Sequence, residues 1–462
     1  MSLLVMKFGG TSVGDAAAIR ALGAIVAQHR QAWDQVAVVV SAMSGVTDLL
    51  LRGAQTAAAG DAATFGQIAA TLRERHLVAH RELAGDAVVD PAIERFIDEF
   101  TLLCRSVLVL GEVTPRALDA IGGLGERMSA RLVAGALHAA AISASAVDAS
   151  ECVVTTAEFG AAVPIYPATR ERIRARIGPL LAAGVVPVIT GFIGATEQGV
   201  QTTLGRGGSD YSGAIFGAAL DADEVAIYTD VDGVMTTDPR LTREARIIHT
   251  LSYAEMAELA YFGARVLHPR TIRPVVERGI PLRIRNTFNA GHPGTLVVRD
   301  AVADGRAVKA VTSIKQMSLI TVAGRGMIGV PGVAARTFGA VASVGANVLM
   351  ISQASSEQSI CFIVPSPTVG AVVAALEAHL RQELARRDIE RINPRDDVVI
   401  VTAVGAGMHE TPGVASLVFG ALAAEHINVI AIAQGSSECA ISVVVTAHDA
   451  DAAVRAVHRL TC

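Results

Sequence analysis

Over the first 300 residues, short apolar, β-branched runs alternate with alanine-rich stretches of helical period, the pattern of an α/β domain with a largely parallel sheet. The clearest strands are predicted at 3–8 (LLVMKF), 36–41 (VAVVVS), 185–190 (VVPVIT) and 224–229 (EVAIYT). Between about 50 and 138 the pattern is almost wholly helical, with turn chemistry only near Gly60, Gly85 and Pro91. That stretch predicts a helical elaboration on the sheet.

Beyond residue 300 the pattern changes and a repeat emerges. Residues 324–357 lie on 405–438 at a constant offset of 81, with 18 of 34 positions identical, among them Pro331 and Pro412, Phe338 and Phe419, Asn347 and Asn428, and Gln353 and Gln434. Each copy reads strand, glycine-containing loop, helix opening at a proline, strand, turn, strand, helix, a unit of about 70 residues. Two copies are too few for a solenoid. The repeat predicts a pair of small modules that pack on each other or on another subunit, with ligand sites at shared edges.

Composition narrows the class. A chain of 462 residues, 51% hydrophobic and 18% charged, buries a large core and suggests two to four domains. The start, MSLLVMKFGG, lacks the basic and long apolar regions of a signal peptide, and no run of about 18 uncharged apolar residues occurs. The five cysteines (Cys104, Cys152, Cys361, Cys439, Cys462) are scattered, with no CxxC pair, which argues against a disulfide framework and a zinc site. A net charge of −5 without a long basic block leaves no footprint for nucleic acid. These features predict a soluble cytoplasmic protein that contacts neither membrane nor nucleic acid.

Several loops could carry chemistry. KFGGTS at 7–12 follows a strand and precedes the helical stretch 15–29, so Gly9 and Gly10 lie where turning backbone exposes N–H groups, a phosphate-binding arrangement. Lys7 would add a positive charge for phosphate oxygens. An ordinary strand-to-helix turn would carry the same residues, and the Walker pattern GxxxxGK[ST] is absent.

TLGRGGSDYSG at 203–213 combines glycines, Arg206, Ser209 and Asp210 ahead of an apolar helix. Ser209 or Asp210 could simply cap that helix, whereas the fork of Arg206 suits a carboxylate or phosphate. YTDVDGVMTTDPR at 228–240 closes a strand with an acidic loop. It lacks the twelfth-position glutamate of a calcium loop, so a nucleotide loop fits better, with Arg240 meeting phosphate. SAMSGVTD at 41–48 follows another strand, and GERMSA at 125–130 places Glu126 on a helix, where most glutamates are merely solvated.

Taken in order, KFGGTS, SAMSGVTD, GERMSA, GRGGSD, YTDVDGVMTTDPR, FGARVLHP (262–269) and RNTFNAGHPGT (285–295) closely resemble the aspartate kinases, and the duplicated tail resembles that family's paired ACT regulatory domains. The resemblance implies an amino-acid kinase fold, a mostly parallel sheet sandwiched by helices, over 1–300. It implies βαββαβ ACT domains over 301–390 and 391–462. It also implies ATP-dependent phosphorylation of L-aspartate to 4-phospho-L-aspartate, the first step towards lysine, threonine and methionine, with ATP and Mg²⁺ as cofactors and no protein-bound metal site.

By position, Lys7 and Asp210 would serve catalysis. Gly9, Gly10, Ser209, Thr229, Asp230, Met235, Arg240 and Arg265 would hold the nucleotide. Thr47, Glu126 and Arg206 would hold aspartate, Glu126 on its ammonium and Arg206 on its α-carboxylate. The family often has tyrosine where Met235 stands and lysine where Arg265 stands.

An aspartate side chain with a pKa near 3.9 is about 99.9% ionised at neutral pH. The reaction therefore needs charge compensation and in-line positioning rather than a general base.

The tail segments ISQASSE (351–357) and IAQGSSE (432–438) are closer to threonine-responsive members. Asn347, Gln353, Asn428 and Gln434 would then face an inhibitory amino acid, threonine or lysine, in a homodimer or higher homo-oligomer. These side chains could instead cap turns and pin dimer contacts. Kinases of the same superfamily acting on glutamate, acetylglutamate, carbamate or UMP are disfavoured by GERMSA and the doubled tail. The same motifs would also suit a catalytically inactive amino-acid sensor, or the kinase portion of a bifunctional aspartokinase–homoserine dehydrogenase. No GxGxxG unit follows the tail, so dehydrogenase activity is not expected here.

Overall fold

The structure, a computed structural model, describes residues 1–85, 90–263, 267, 269–300, 306–327, 330–353, 358–408, 411–434 and 439–461. It forms two compact units, Met1–Val234 with His249–Tyr253 and Val266–Ala301, and Met235–Ile248 with Ala254–Arg265 and Val302–Cys462.

The first unit is built on an eight-stranded sheet. Its strands are β1 (Leu3–Phe8), β2 (Gln35–Val40), β3 (Ala144–Val147), β4 (Val186–Thr190), β7 (Glu224–Thr229), β8 (Thr250–Ser252), β9 (Leu282–Asn286) and β10 (Thr295–Val298), and β5 (Ile193–Ala195) and β6 (Gln201–Thr203) form a separate hairpin. The order is β3-β4-β2-β1-β7-β9-β10-β8. Neighbours run parallel except β9 and β10. All four strands predicted from apolar runs are present. Parallel strands covered on both faces read as continuous apolar runs, and β1, central between β2 and β7, is buried at every residue.

On one face Leu4, Met6 and Phe8 of β1 join Val36, Val38 and Val40 of β2 in the main core. Helices α1 (Ala16–His29), α2 (Val46–Ala58), α3 (Ala62–Ala84), α4 (Pro91–Leu110), α5 (Pro115–Gly122) and α6 (Leu124–Ala139) cover it, contributing Leu22, Leu50, Leu72, Phe100, Ile121 and Leu132. The expected helical elaboration is α2 to α6. Asp61, Asp90 and Thr114 cap three of these helices by accepting backbone N–H bonds.

Alternation along β1 sends Lys7 to the other face. There α8 (Gly208–Leu220) passes so close that a Cβ on Gly213 would lie 3.0 Å from the Lys7 Cβ. Helices α7 (Tyr166–Ala182) and α10 (Pro269–Arg278) flank α8. In the parallel register Phe8 lies opposite Val40 and Tyr228, and Val40 opposite Thr190. The loops after β1, β2, β4 and β7 therefore share one edge of the sheet, where α/β proteins bind ligands.

The second unit holds both sequence repeats and α9 (Tyr253–Tyr261) from Ala254 onward. The repeats supply β11 (Ala310–Ala323), α11 (Val333–Ser343), β12 (Met350–Gln353), β13 (Ser359–Pro365), α12 (Val369–His379) and α13 (Arg381–Arg386), then β14 (Arg391–Val404), α14 (Val414–Ala424), β15 (Ala431–Ala433), β16 (Ala440–Thr446) and α15 (Ala450–His458). Their strands form one antiparallel sheet in the order β12-β13-β11-β14-β16-β15.

The two long strands join the modules by exchange. β11 and β14 pair along their whole length, from Ala310 opposite Val404 to Ala323 opposite Arg391, with an irregular register between Ile314 and Leu319. The second half of β11 gives Ile320 and Val322 to one core, with Phe362, Leu376 and Ile392. The first half gives Val311 to the other, with Val401, Val418 and Val454. Each module thus reaches a βαββαβ arrangement only with half a strand from its neighbour, and the half that completes the second module precedes the first in the chain.

Candidate active site

Lys7 is buried and its ammonium pairs with the Asp210 carboxylate, in the first turn of α8. Both ends of this pair are supplied by regular elements, so the charge is held in place before any ligand arrives. The glycine loop follows at once. The Gly9 N–H is donated to the Tyr228 carbonyl at 3.0 Å, extending the pairing of β1 with β7, so this group is not free for phosphate. The N–H groups of Gly10 and Thr11 make no such bond among the described residues and are the donors that open at this turn. Neither Gly9 nor Gly10 has a positive φ. Gly10 approaches its neighbour closely, since a Cβ there would lie 3.3 Å from the Ala42 carbonyl oxygen. Ser12 fastens the loop from below, its hydroxyl donating to the Tyr228 carbonyl at 3.4 Å and accepting from Thr287 at 2.7 Å.

Glu126, in the first turn of α6, is only 3% exposed. Its Oε1 accepts the Ala42 N–H at 3.2 Å, and its buried Oε2 has no hydrogen-bond partner. Gly125 permits this approach, since a Cβ there would lie 2.7 Å from that of Ala42. Burial pushes the Glu126 carboxyl up to about 8, opposed by the Ala42 N–H and by the charge of Lys7. A buried carboxylate with an unmatched oxygen suits a cationic group of a ligand. Thr47, half-buried, is the second residue of α2, at the end of the same loop after β2.

Arg206 stands exposed on a tight turn closed by the Gly208 N–H on the Gly205 carbonyl at 2.9 Å. Gly205 and Gly207 take φ of 74° and 73°, which only glycine adopts freely. The turn leads directly into Ser209 and Asp210. The helix cap suggested for these two is not used, for α8 has no side-chain cap bond. Among the described residues Arg206 has no ion-pair partner.

The structure therefore gathers Lys7, Asp210, Glu126 and the glycine loop at one sheet edge, with the Thr47 and Arg206 loops on the same set of connections. Among the described residues no group of three or more histidine, cysteine or acidic side chains could hold a metal.

The sequence matches the amino acid kinase family over residues 2–286 and the ACT domain over 320–380 and 401–460. The chloroplastic aspartokinase 1 of Arabidopsis thaliana is 30% identical, over 98% of this chain and 79% of its own. The crystal structure of E. coli aspartokinase III in complex with aspartate and ADP covers 99% of both chains at 30% identity, with a TM-score of 0.82. The chain belongs to the aspartokinase family. A chloroplastic bifunctional aspartokinase/homoserine dehydrogenase of Daucus carota is 41% identical over 98% of this chain, which spans about half the length of that relative (50%).

The remaining expected residues of this aspartokinase-family chain are distributed between the units. In the first, Thr229 ends β7 and donates to the Asp230 carboxylate at 3.0 Å, and Asn286 donates to Asp232 at 2.8 Å. The loop YTDVDGVMTTDPR does not stay in one unit. Met235 and Arg240 belong to the second, whose β11 donates the Val311 N–H to the Thr236 carbonyl at 2.7 Å. The exposed Arg240 guanidinium is engaged by Asp238, with Nη2 donating to Oδ2 at 2.6 Å. Arg265 lies outside the described residues. Asn347, Gln353, Asn428 and Gln434 are all exposed.

In that unit a buried ion pair joins Lys309 to Glu255 at 3.2 Å, and the same Glu255 oxygen accepts the Ala406 N–H at 2.7 Å. No motif in the sequence singles out this pair, or the Ala42 N–H that meets Glu126. Backbone donors carry no residue-type signal, so nothing in the sequence marks Ala42.

Proposed function

We propose that the chain transfers the γ-phosphoryl group of ATP to the side-chain carboxylate of L-aspartate, giving 4-phospho-L-aspartate and ADP. Residues 1–300 act as the catalytic part and the two repeats, 301–390 and 391–462, as the regulatory part. The observation that carries this reading is Glu126, a buried carboxyl with one unmatched oxygen in the field of Lys7. An amino-acid ammonium group supplies the missing partner.

In this reaction a substrate carboxylate oxygen forms the new bond to the γ-phosphorus as the bond to ADP breaks. No proton need move, because the nucleophile arrives ionised. The obstacle is repulsion between two anions, and Lys7, oriented by Asp210, reduces it. Gly10, Thr11 and the α8 end carrying Ser209 offer backbone donors to phosphate oxygens, with Gly9 supporting the turn. Thr229 and Asp230 border the nucleotide. Thr47, Glu126 and Arg206 hold aspartate. Mg²⁺ enters with ATP, on its phosphates, as part of the substrate.

The regulatory part takes an end-product amino acid, threonine or lysine, at Asn347, Gln353, Asn428 and Gln434, in a homodimer or higher homo-oligomer. No helix among the described residues is long and apolar enough to cross a membrane, and a cytoplasmic setting fits the scattered cysteines.

A coupled ADP-release assay tests the reading. Turnover with aspartate and little with glutamate, reduced by threonine or lysine, supports it. Turnover with glutamate alone overturns the substrate assignment.

A further inference from the structure

The exposed Arg206 guanidinium is only as well placed as the turn beneath it, and that turn is held from two sides by residues with no assigned role. On one side stands Asp119, the fifth residue of α5, 3% exposed. Its Oδ2 accepts the Thr203 N–H at 2.8 Å and the Gly160 N–H at 2.9 Å, and its Oδ1 accepts the Thr203 hydroxyl at 2.7 Å. No cation pairs with it among the described residues. Three donors converge on one buried anion, and charge-assisted bonds of this kind are about twice as strong as neutral ones.

The bonds fall on the two chain segments that meet at the Arg206 turn. Thr203 ends β6, three residues before Arg206. Gly160 touches the turn directly, since a Cβ on Gly205 would lie 2.9 Å from the Gly160 carbonyl oxygen. The Ala162 N–H donates to the Thr203 carbonyl at 2.9 Å, and Gln201 reaches back to the Asp119 carbonyl at 2.7 Å. Asp119 is therefore the common fastening of α5, β6 and the loop at 160.

The opposite side is closed by Phe192, which holds φ at 65°. A bulky residue takes that conformation only where its surroundings impose it. Here the Phe192 N–H donates to the Ser212 hydroxyl at 3.0 Å and its carbonyl accepts the Leu204 N–H at 2.9 Å. Its ring fills the space a Cβ on Gly208 would need, 2.7 Å away. With one wall fixed by Phe192, the freedom left to the turn is set by Asp119.

We infer that Asp119 is a positioning residue for the amino-acid substrate, fixing the turn that aims Arg206 at the substrate α-carboxylate. The inference rests on the assignment of Arg206 proposed above. Asp119 touches no substrate; it acts through Thr203 and Gly160. Its effect is confined to the amino-acid side of the reaction, because the Lys7 pair and the glycine loop are held by β1, β7 and α8.

The test is steady-state kinetics of Asp119→Asn, in which one accepting oxygen becomes a donor, in the wild-type and in the Arg206→Ala background. The expected result is a KM for aspartate raised ~10-fold or more, with the KM for ATP changed by less than about twofold. In the Arg206→Ala background the same change adds nothing further. Should Asp119→Asn fail to fold, Thr203→Val removes only the hydroxyl bond and is expected to give the same selective effect, roughly threefold.

An unchanged KM for aspartate, an equal rise in both KM values, or an equal loss in both backgrounds would overturn the inference and leave the kinase reading standing. Wild-type protein without aspartate-dependent ADP release would overturn both.

Discussion

Glu126 holds the Ala42 N–H on one carboxylate oxygen at 3.2 Å and keeps the other oxygen buried without a partner. Burial pushes this carboxyl up to about 8, so at pH 7 the free protein carries Glu126 mostly protonated. An ammonium group arriving beside it favours the charged form. Aspartate binding at pH 7 is thus expected to release up to about one proton. Calorimetry in two buffers of different ionisation heat measures this directly, and Glu126→Gln should abolish the release and weaken aspartate binding at least ~10-fold. Binding with no proton release would contradict the pairing.

The same group links stability to pH. The folded protein keeps a proton that the unfolded chain gives up near 4.5, so the native state binds more protons between 4.5 and about 8. Stability of the free protein is then full below that window and falls as pH rises through it, by no more than about 5 kcal/mol. Denaturation midpoints of Glu126→Gln should show a flatter dependence there. A wild-type curve without this fall would show that another group neutralises Glu126.

Lys7→Met tests the charge-compensation role. Methionine matches the aliphatic stem that packs on Gly213, and Asp210 keeps access to solvent, its side chain 20% exposed. The fold should persist, with kcat reduced ~100-fold or more. Near-wild-type turnover in a folded variant would remove Lys7 from the mechanism.

What is legible in the sequence follows from locality. LLVMKF and EVAIYT announce β1 and β7 because strands buried on both faces need largely apolar character, and Lys7 is conspicuous as the one charge in LLVMKF. The helical elaboration is equally visible in its period and its proline and glycine breaks. Features that depend on distant register are not visible. The Gly9 N–H looks free in KFGGTS and is taken by Tyr228, 219 positions away. The repeat shows two copies, but not that β11 and β14 exchange halves, since AVTSIKQMSLITVA reads as one strand whichever core its halves enter. YTDVDGVMTTDPR reads as one loop, yet Met235 and Arg240 go to the second unit. Asp119 sits in PRALDAIGG as an ordinary helical acid until the fold brings Thr203 and Gly160 to it.

The buried pair in the second unit bears on stability. Lys309 and Glu255 are both almost inaccessible, with side chains 5% and 0% exposed. Lys309→Met removes the ammonium that pairs with this buried carboxylate, which should cost about 3–5 kcal/mol. Adding Glu255→Gln removes the buried charge and keeps an oxygen for Ala406, so the double variant should recover most of that loss in denaturant titration. A double variant as unstable as Lys309→Met alone would show that the ion pair is not the source.

The central claim is that an acyl phosphate forms on the aspartate side chain. Hydroxylamine traps such a species as a hydroxamate, which mass spectrometry locates on one carboxyl or the other. Incubation with Mg²⁺, ATP, aspartate and hydroxylamine is expected to give aspartate β-hydroxamate in step with ADP, at a rate lowered ~100-fold or more in Lys7→Met. ADP release without hydroxamate, or hydroxamate on the α-carboxyl, would contradict the account.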